Sequence, residues 1–451
     1  MRLLASSGFC LFLIIPPTLY GQTVRFETNL GNIDVQLLPS DAPKTVANFL
    51  AYLNAKAYAN SFIHRSVPGF VIQGGGYQWS DANGPVAIPQ NAPVVNEFKV
   101  SNTRGTVAMA KLGNDPNSAT SQWFFNEVDN SSNLDNTNGG FTVFGKVAND
   151  ASLAVMDKIA NEPVYDASGT FGADFSSLPL VNYDGVNFGS QNLVLITAIL
   201  VVPGIGSNGV IAPSDFGGAS TAAVGSYLEI YGTNLAGTTR TWRTSDFSNG
   251  NAPTTLDKVS ATINGTPAYV SFVSPAQVNV EVPAGVPAGS ASVILTYNGT
   301  PSGPVNFAIE AAGGSILAPT SFKVNGKQYV GAYHVNGAPV TNGKIPGLPA
   351  APAAPGETLL FYGLGFGSLK SGAAIAGKIA TGQTALSNPV EFLFGDSKQP
   401  GTVQYQGLAP GFVGLYQFNV TVPANAPSGD LALQVSQGGK GLPQTLYISV
   451  K

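Results

Sequence analysis

The sequence predicts a mainly β protein: a closed antiparallel β-barrel flanked by two helices, followed by two β-sandwich domains. Three observations predict it. Charged residues make up only 10% of the 451 residues, against about 25% in an average globular chain. The chain carries 54 glycines and 32 prolines, a turn-rich composition that suits many short strands better than helical bundles. Finally, the first two hundred residues alternate apolar and polar positions with two helical interruptions, whereas the remainder shows no long helix and repeats itself.

The length suggests about three domains at roughly 150 residues each. The hydrophobic fraction, 44%, is too high for a disordered chain. The net charge is −4 with no long basic run, which argues against nucleic acid as a partner.

Residues 1–21 read as an export signal. Arg2 is the positive end, Leu3 to Ile15 is mostly apolar and uncharged, and Pro16 and Pro17 end the run before a small residue, Gly21. The run is short for a membrane span, so no span is expected after cleavage, and the protein is expected in the periplasm or outside the cell. The single cysteine, Cys10, lies in this segment, so the exported chain would hold no thiol and no disulfide.

Residues 22–202 are expected to form the barrel. Val24 to Leu38 alternates around Leu30-Gly31-Asn32, a hairpin pattern. Asp41 is placed to cap a helix with Pro43 in its first turn, and Val46, Phe49, Leu50 and Leu53 give that helix one apolar face. Phe62 to Gly76, FIHRSVPGFVIQGGG, reads as strand, turn and strand; Arg65 and Gln73 are set in an otherwise apolar run. Asp81 to Asn91 reads as loop, Asn102 to Ala110 ends in a strand, and Lys111 to Thr120 is a polar loop. In the short strand Ser121 to Phe125, Gln122 and Phe124 share one face and Trp123 and Phe125 the other. Phe141 to Val147 is a strand, Ala151 to Ile159 a helix, Asn161 to Gln191 a long surface excursion, and Asn192 to Val202 an apolar final strand.

Residues 203–208 read as a linker, 209–311 as one sandwich and 312–451 as a second. LEIYGTNL from Leu228 recurs as LLFYGLGF from Leu359, and QVNVEVPAGVPAG from Gln277 recurs as QFNVTVPANAPSG from Gln417. Asn264-Gly265, Asn298-Gly299 and Asn325-Gly326 mark tight hairpin turns, and Pro346 to Pro355 an exposed loop.

A buried charge needs a reason, because leaving it unpaired is costly. Arg65 is read as lining, with Gln73, an apolar groove for a proline-containing peptide; on composition alone, an ion pair inside the barrel, for instance with Glu97, serves as well. The two histidines, His64 and His334, lie far apart, which disfavours a zinc or iron centre. An oxygen-only calcium site stays open. There is no G-x-S-x-G, and His64 in its dense apolar run is read as a packing residue rather than a base.

FIHRSVPGFVIQGGG, NTRGTVAMA, NSATSQWFFN and FTVFGKV, in this order and spacing, resemble the cyclophilins, the barrel-type peptidyl-prolyl isomerases, and most of all their periplasmic bacterial branch. The resemblance covers about Thr23 to Val202. It implies Arg65, Gln73 and Phe70 as catalytic residues. It implies Val71, Met109, Ala110, Lys111, Gln122, Phe124, Leu134 and Phe141 as the substrate-binding set, with Met109, Ala110 and Lys111 contributing through their strand. It requires no cofactor or metal. The implied partners are proline-containing peptides or unfolded exported proteins. Several positions depart from the family: Val71 stands for its usual methionine, Lys111 for an asparagine, Leu112 for a small residue and Phe141 for histidine or tyrosine. Ser131-Ser132-Asn133 occupies the place of a tryptophan or phenylalanine. The C-terminal pair resembles an Ig-like module of bacterial secreted proteins, which names no ligand. These departures keep open a second expectation, a surface protein of adhesion type that binds proline peptides without turning them over.

Overall fold

A computed structural model describes residues 21–186, 188–213, 221–310, 313–370 and 376–451. The expected export signal, apart from Gly21, lies outside the described residues. The chain divides into two compact units, one ending at Gly204 and the other running Ile205–Lys451. No helix among the described residues is long and apolar enough to cross a membrane.

The first unit is built on one curled antiparallel sheet. In chain order its elements are β1 (Thr23–Thr28), β2 (Gly31–Leu37), α1 (Pro43–Asn54), β3 (Ser61–Phe62), β4 (Arg65–Val67), β5 (Val71–Gly74), β6 (Tyr77–Ser80), β7 (Gly84–Ala87), β8 (Thr106–Met109), β9 (Trp123–Asn126), α2 (Ser131–Leu134), β10 (Val143–Val147) and α3 (Asp150–Ala160). Then come β11 (Val164–Tyr165), α4 (Ser168–Phe171), β12 (Leu178–Pro179) and β13 (Leu195–Val202). The ladder runs β4-β5-β9-β8-β10-β2-β1-β13-β3-β6-β7.

By its hydrogen bonds this is a half-barrel, since β4 and β7 end the ladder without pairing to each other. Covalent connectivity draws it round. β3 lies near one end of the ladder and β4 at the other, yet only Ile63 and His64 join them. Two residues reach no more than about 7 Å. Across that seam Ile63 N donates to Val194 O (3.0 Å) and His64 N to Gln73 O (3.2 Å).

The interior is aromatic. Phe26, Phe49, Tyr58, Trp123, Phe125 and Phe144 pack with Val46 of α1 and Met156 of α3. The Phe26 ring meets Trp123 edge-on at 4.9 Å and Phe125 at 5.3 Å, the geometry aromatic pairs prefer. On the other face of β1 and β2 from Val24, Phe26, Ile33 and Val35, Arg25 and Asp34 stand opposite each other and form a two-pronged ion pair at 2.7 and 2.9 Å, both side chains under 10% exposed.

Four local expectations need correction. Asp41 does not cap α1: the N-cap is Ala42, whose side chain accepts nothing, and Asp41 pairs with Lys99 at 2.6 Å. Glu97 does the capping from fifty residues away, accepting from Lys44 N (3.2 Å), Thr45 N (2.8 Å) and the Thr45 hydroxyl (2.9 Å). The Asp81–Asn91 loop contains β7, which pairs with β6 in register Trp79↔Pro85. Within Asn161–Gln191, Phe175, Leu178 and Leu180 bury against Phe62 and Leu193, with Trp79, Phe171 and Phe188 around them. Its aromatics supply enough apolar surface for a small core of its own. Residues 203–208 are not a linker: Gly204–Ile211 is a strand pairing with Tyr227–Thr233.

The second unit holds four principal sheets, two around each of two apolar cores. The repeat is structural. Tyr227–Thr233 pairs antiparallel with Gln277–Glu281 as Thr358–Leu364 does with Tyr416–Thr421. The adjacent strands both carry a register shift, between Val270 and Phe272 and between Val403 and Tyr405. Gln277 donates to Asn279 at 2.9 Å, and Gln417 to Asn419 at 2.8 Å. The three Asn-Gly pairs all have positive φ at both residues, as a two-residue type I′ hairpin turn requires. Pro346–Pro355 is only partly exposed, because Ala353 bridges Val450.

Candidate active site: a guanidinium at the edge of an apolar groove

β4 and β5 form a hairpin in register Arg65↔Gln73, and β5 continues onto β9 in register Gln73↔Phe124. Directly opposed residues share a face. Arg65, Gln73 and Phe124 are therefore neighbours across three strands, and Ala108, opposite Phe124 on β8, extends the row.

The alternation on β9 holds. Trp123 and Phe125 enter the main core, while Phe124 joins a separate cluster with Val71, Ala108, Leu134 and Val143. Phe70, Ala110 and Phe141 pack on that cluster half-buried, and the Phe141 ring meets Phe124 edge-on at 5.8 Å. Of the expected set, Phe70, Val71, Ala110, Phe124, Leu134 and Phe141 thus come together. Met109 does not: its side chain points into the main core beside Trp123, so only its backbone remains on the groove side. Its N–H is already engaged, by Thr142 O at 3.0 Å.

Arg65 is half-buried, and among the described residues no carboxylate lies within ion-pair distance of it. The pairing with Glu97 does not exist, because Glu97 caps α1. Desolvation lowers the Arg65 pKa without bringing it near neutrality, and no neighbouring anion offsets it. Its partner is neutral: Nη1 donates to Gln73 Oε1 at 3.2 Å, and Gln73 Nε2 donates to Gln122 Oε1 at 2.8 Å.

The three glycines make room on both sides of β5, Gly74 and Gly75 for the core ring of Trp123 and Gly76 for Gln122. A Cβ on Gly74 would stand 2.7 Å from the Trp123 ring, and one on Gly76 3.1 Å from the Gln122 amide. Gly75 has φ +76°, where a side chain is strained in any case. His64 is 2% exposed and packs against Tyr77 and Phe175, and burial pushes its pKa down to about 4. It is neutral at pH 7, as a packing residue should be.

A polar layer behind the apolar cluster is not evident from the sequence. Phe70 O accepts from Glu127 N (3.0 Å) and Asn130 Nδ2 (2.9 Å), and Glu127 Oε2 accepts from Gly69 N (2.8 Å). Phe141 O accepts from Asn102 Nδ2 (3.0 Å), which also donates to Asp135 (2.9 Å). Asn126 joins Asn102 to Asn130. The one available signal was the density of Asn and Asp around WFFNEVDN, which composition alone reads as loop. No group of three His, Cys, Asp or Glu side chains able to hold a metal occurs among the described residues.

A curled β sheet that sets a guanidinium, unpaired by any carboxylate among the described residues, at the rim of an apolar cluster can chemically grip an apolar ring and polarise an atom beside it. The family described as cyclophilin type peptidyl-prolyl cis-trans isomerase matches residues 23–172, and the IPT/TIG domain matches residues 218–309. A peptidyl-prolyl cis-trans isomerase of Acinetobacter baylyi is 42% identical over 154 residues, covering 34% of this chain and 78% of its own. Peptidyl-prolyl cis-trans isomerase A of Dickeya dadantii is 40% identical over 141 residues, 30% of this chain and 70% of its own. Isomerase B of Escherichia coli is 40% identical over 144 residues, 30% of this chain and 82% of its own. The chain belongs to the cyclophilin-type peptidyl-prolyl isomerase family and is an enzyme of that class, followed by an Ig-like IPT/TIG domain.

Proposed function

We propose that the segment Gln22–Val202 accelerates rotation about Xaa-Pro bonds in proteins exported with it, and that Arg65 stabilises the twisted transition state. Amide resonance sets the uncatalysed barrier at about 18–20 kcal/mol. When the bond twists, the prolyl nitrogen loses conjugation and regains a lone pair. A donor aimed at that nitrogen favours the twisted state over both planar ones, which is catalysis by differential binding. Phe70, Val71, Phe124, Leu134 and Phe141 would hold the proline ring while the preceding carbonyl swings. Gln73 and Gln122 would orient Arg65 and the peptide, and the backbone at Met109, Ala110 and Lys111 would border the neighbouring residue. No bond is made or broken, so no nucleophile or cofactor enters the scheme.

The observation that carries this reading is the half-buried Arg65 guanidinium held, among the described residues, by the neutral Gln73 amide and no carboxylate, beside the Phe124 cluster. Export rests on the apolar N-terminal run. On this reading residues 22–202 carry the isomerase, and the sandwiches that follow, 209–311 and 312–451, serve to position it. The test uses the full chain and an Ala-Pro peptide. Wild type should accelerate cis–trans exchange, and Arg65→Ala should lose at least about a hundredfold in kcat/KM, roughly 2.7 kcal/mol of transition-state stabilisation. A folded wild-type chain with no acceleration would refute the reading.

A further inference from the structure

The second residue past β8 is a lysine with an unusual set of partners. Lys111 is half-buried, and its ammonium donates to Asn138 O at 2.7 Å and to Gly140 O at 2.6 Å. The same ammonium stands 4.7 Å from the centre of the Phe141 ring, within cation–π range.

The turn it grips is conformationally demanding. Asn138, Gly139 and Gly140 have φ of +51°, +77° and +76°, three successive left-handed residues. That region is visited routinely only by glycine and, as single residues, by Asn and Asp. At Gly140 a side chain is sterically barred as well, since its Cβ would lie 2.3 Å from Phe98. Such a turn persists only where its surroundings determine it. Asn96 Nδ2 donates to Gly139 O (2.7 Å) and Gly140 O (3.1 Å), and Asn138 Nδ2 donates to Leu112 O (2.7 Å). Lys111 supplies the positive charge among these contacts, and charge-assisted hydrogen bonds are the strong ones. The residue delivered by the turn is Phe141, whose N–H donates to Leu134 O at 3.0 Å and whose ring meets Phe124.

We propose that Lys111 is a positioning residue for the proline pocket: its ammonium closes the 138–140 turn and thereby fixes the Phe141 ring as the pocket wall opposite Arg65. This rests on the isomerase reading. It gives Lys111 a task that its backbone contact with substrate does not cover. It also accounts for two departures together, since a lysine at 111 suits a phenylalanine at 141 through the ring face.

The experiment measures KM and kcat of the full chain on an Ala-Pro peptide for wild type, K111M, F141A and the K111M/F141A pair. K111M keeps the stem and removes the charge. It should raise KM about five- to tenfold and leave kcat within about twofold. In the F141A background the same change should raise KM less than twofold, because the wall it positions is gone. Lys111→Cys, made in a Cys10→Ser chain and alkylated with 2-bromoethylamine, restores an ammonium at nearly the same reach and should recover most of the wild-type KM. An unchanged KM in folded K111M, a fall in kcat instead, full additivity with F141A, or no recovery on alkylation would each overturn the proposal. Wild-type activity separates this from the underlying reading: an inactive wild type sinks the isomerase, whereas an active wild type with an indifferent Lys111 sinks only the positioning role.

Discussion

Acidification from about pH 7 to about pH 4 should destabilise the first unit through His64. The residue is 2% exposed, and burial holds its pKa near 4 instead of the ordinary 6.5. The Asp174 charge opposes the burial, the Arg65 charge adds to it, and a hydrogen bond with Gln122 opposes it. The folded-state pKa is the lower one, so between the two values the unfolded chain binds a proton that the folded chain refuses. Stability is then complete above about pH 6.5 and declines as pH falls to about 4. A gap of about 2.5 pKa units corresponds to a loss of about 3 kcal/mol, at about 1.4 kcal/mol per unit. Two measurements check it. With only two histidines in the chain, His64 and His334, both ring signals can be followed by NMR, and His64 should titrate near 4. Urea unfolding of wild type and His64→Gln at both pH values removes the carboxylate background by difference. Wild type should lose about 3 kcal/mol more than the variant. A His64 signal titrating near 6.5, or equal losses in the two proteins, would refute the argument.

Three further perturbations have definite signs. Arg25→Leu strands the buried Asp34 carboxylate and should cost about 3–5 kcal/mol in denaturant unfolding, whereas replacing both partners by apolar residues should cost far less. Glu97→Ala leaves the first turn of α1 uncapped and should lower stability by about 1–2 kcal/mol, with helix loss visible first at Lys44 and Thr45 by hydrogen exchange. In the second unit Glu281 is fully buried, its Oε2 accepting from Gly377 N (2.8 Å) and its Oε1 without a partner among the described residues. Desolvation raises its pKa well above the carboxylate range, so the folded chain keeps a proton that the unfolded chain gives up. Stability should therefore fall as pH rises past about 4.5, at up to about 1.4 kcal/mol per pH unit, and Glu281→Gln should flatten that slope.

What could be read in the sequence was whatever depends on period and local geometry. The alternation at Gln122–Phe125 correctly sorted groove from core, and the Asn-Gly pairs located their turns. What could not be read depends on distant partners. Asp41 was a reasonable cap by position, but Glu97, brought over by the fold, holds the N–H groups instead. Residues 203–208 have a linker's composition, yet small residues also suit a strand beside close neighbours: a Cβ on Gly209 would lie 2.4 Å from Tyr231 O. The excursion after Asn161 looked polar because Gly, Ser and Asp outnumber its aromatics, although those aromatics decide its packing. At the site, Arg65 with Gln73 and Gln122 with Phe124 were legible as two sets, but not that β5 and β9 are adjacent and put Gln73 directly opposite Phe124; the Lys111 grip on a left-handed turn required knowing which carbonyls converge.

The polarity of the site follows from one chemical asymmetry. A guanidinium has donors only. Gln73 must therefore turn its Oε1 to Arg65, which leaves its N–H₂ to donate to Gln122 Oε1. That in turn leaves the Gln122 N–H₂ to donate elsewhere. The amide orientations along the row are assigned by this logic rather than by chance. The row begins in a cation whose partner is neutral, and at its far end the Gln122 amide lies beside the buried His64 ring. A carboxylate at Gln73's position would satisfy Arg65 and reverse the next link, so the row would no longer carry donors from end to end. The same neutrality keeps the guanidinium uncompensated in the ground state. On the proposed mechanism, its interaction with a lone pair that exists only in the twisted amide would count toward the rate rather than toward ground-state binding.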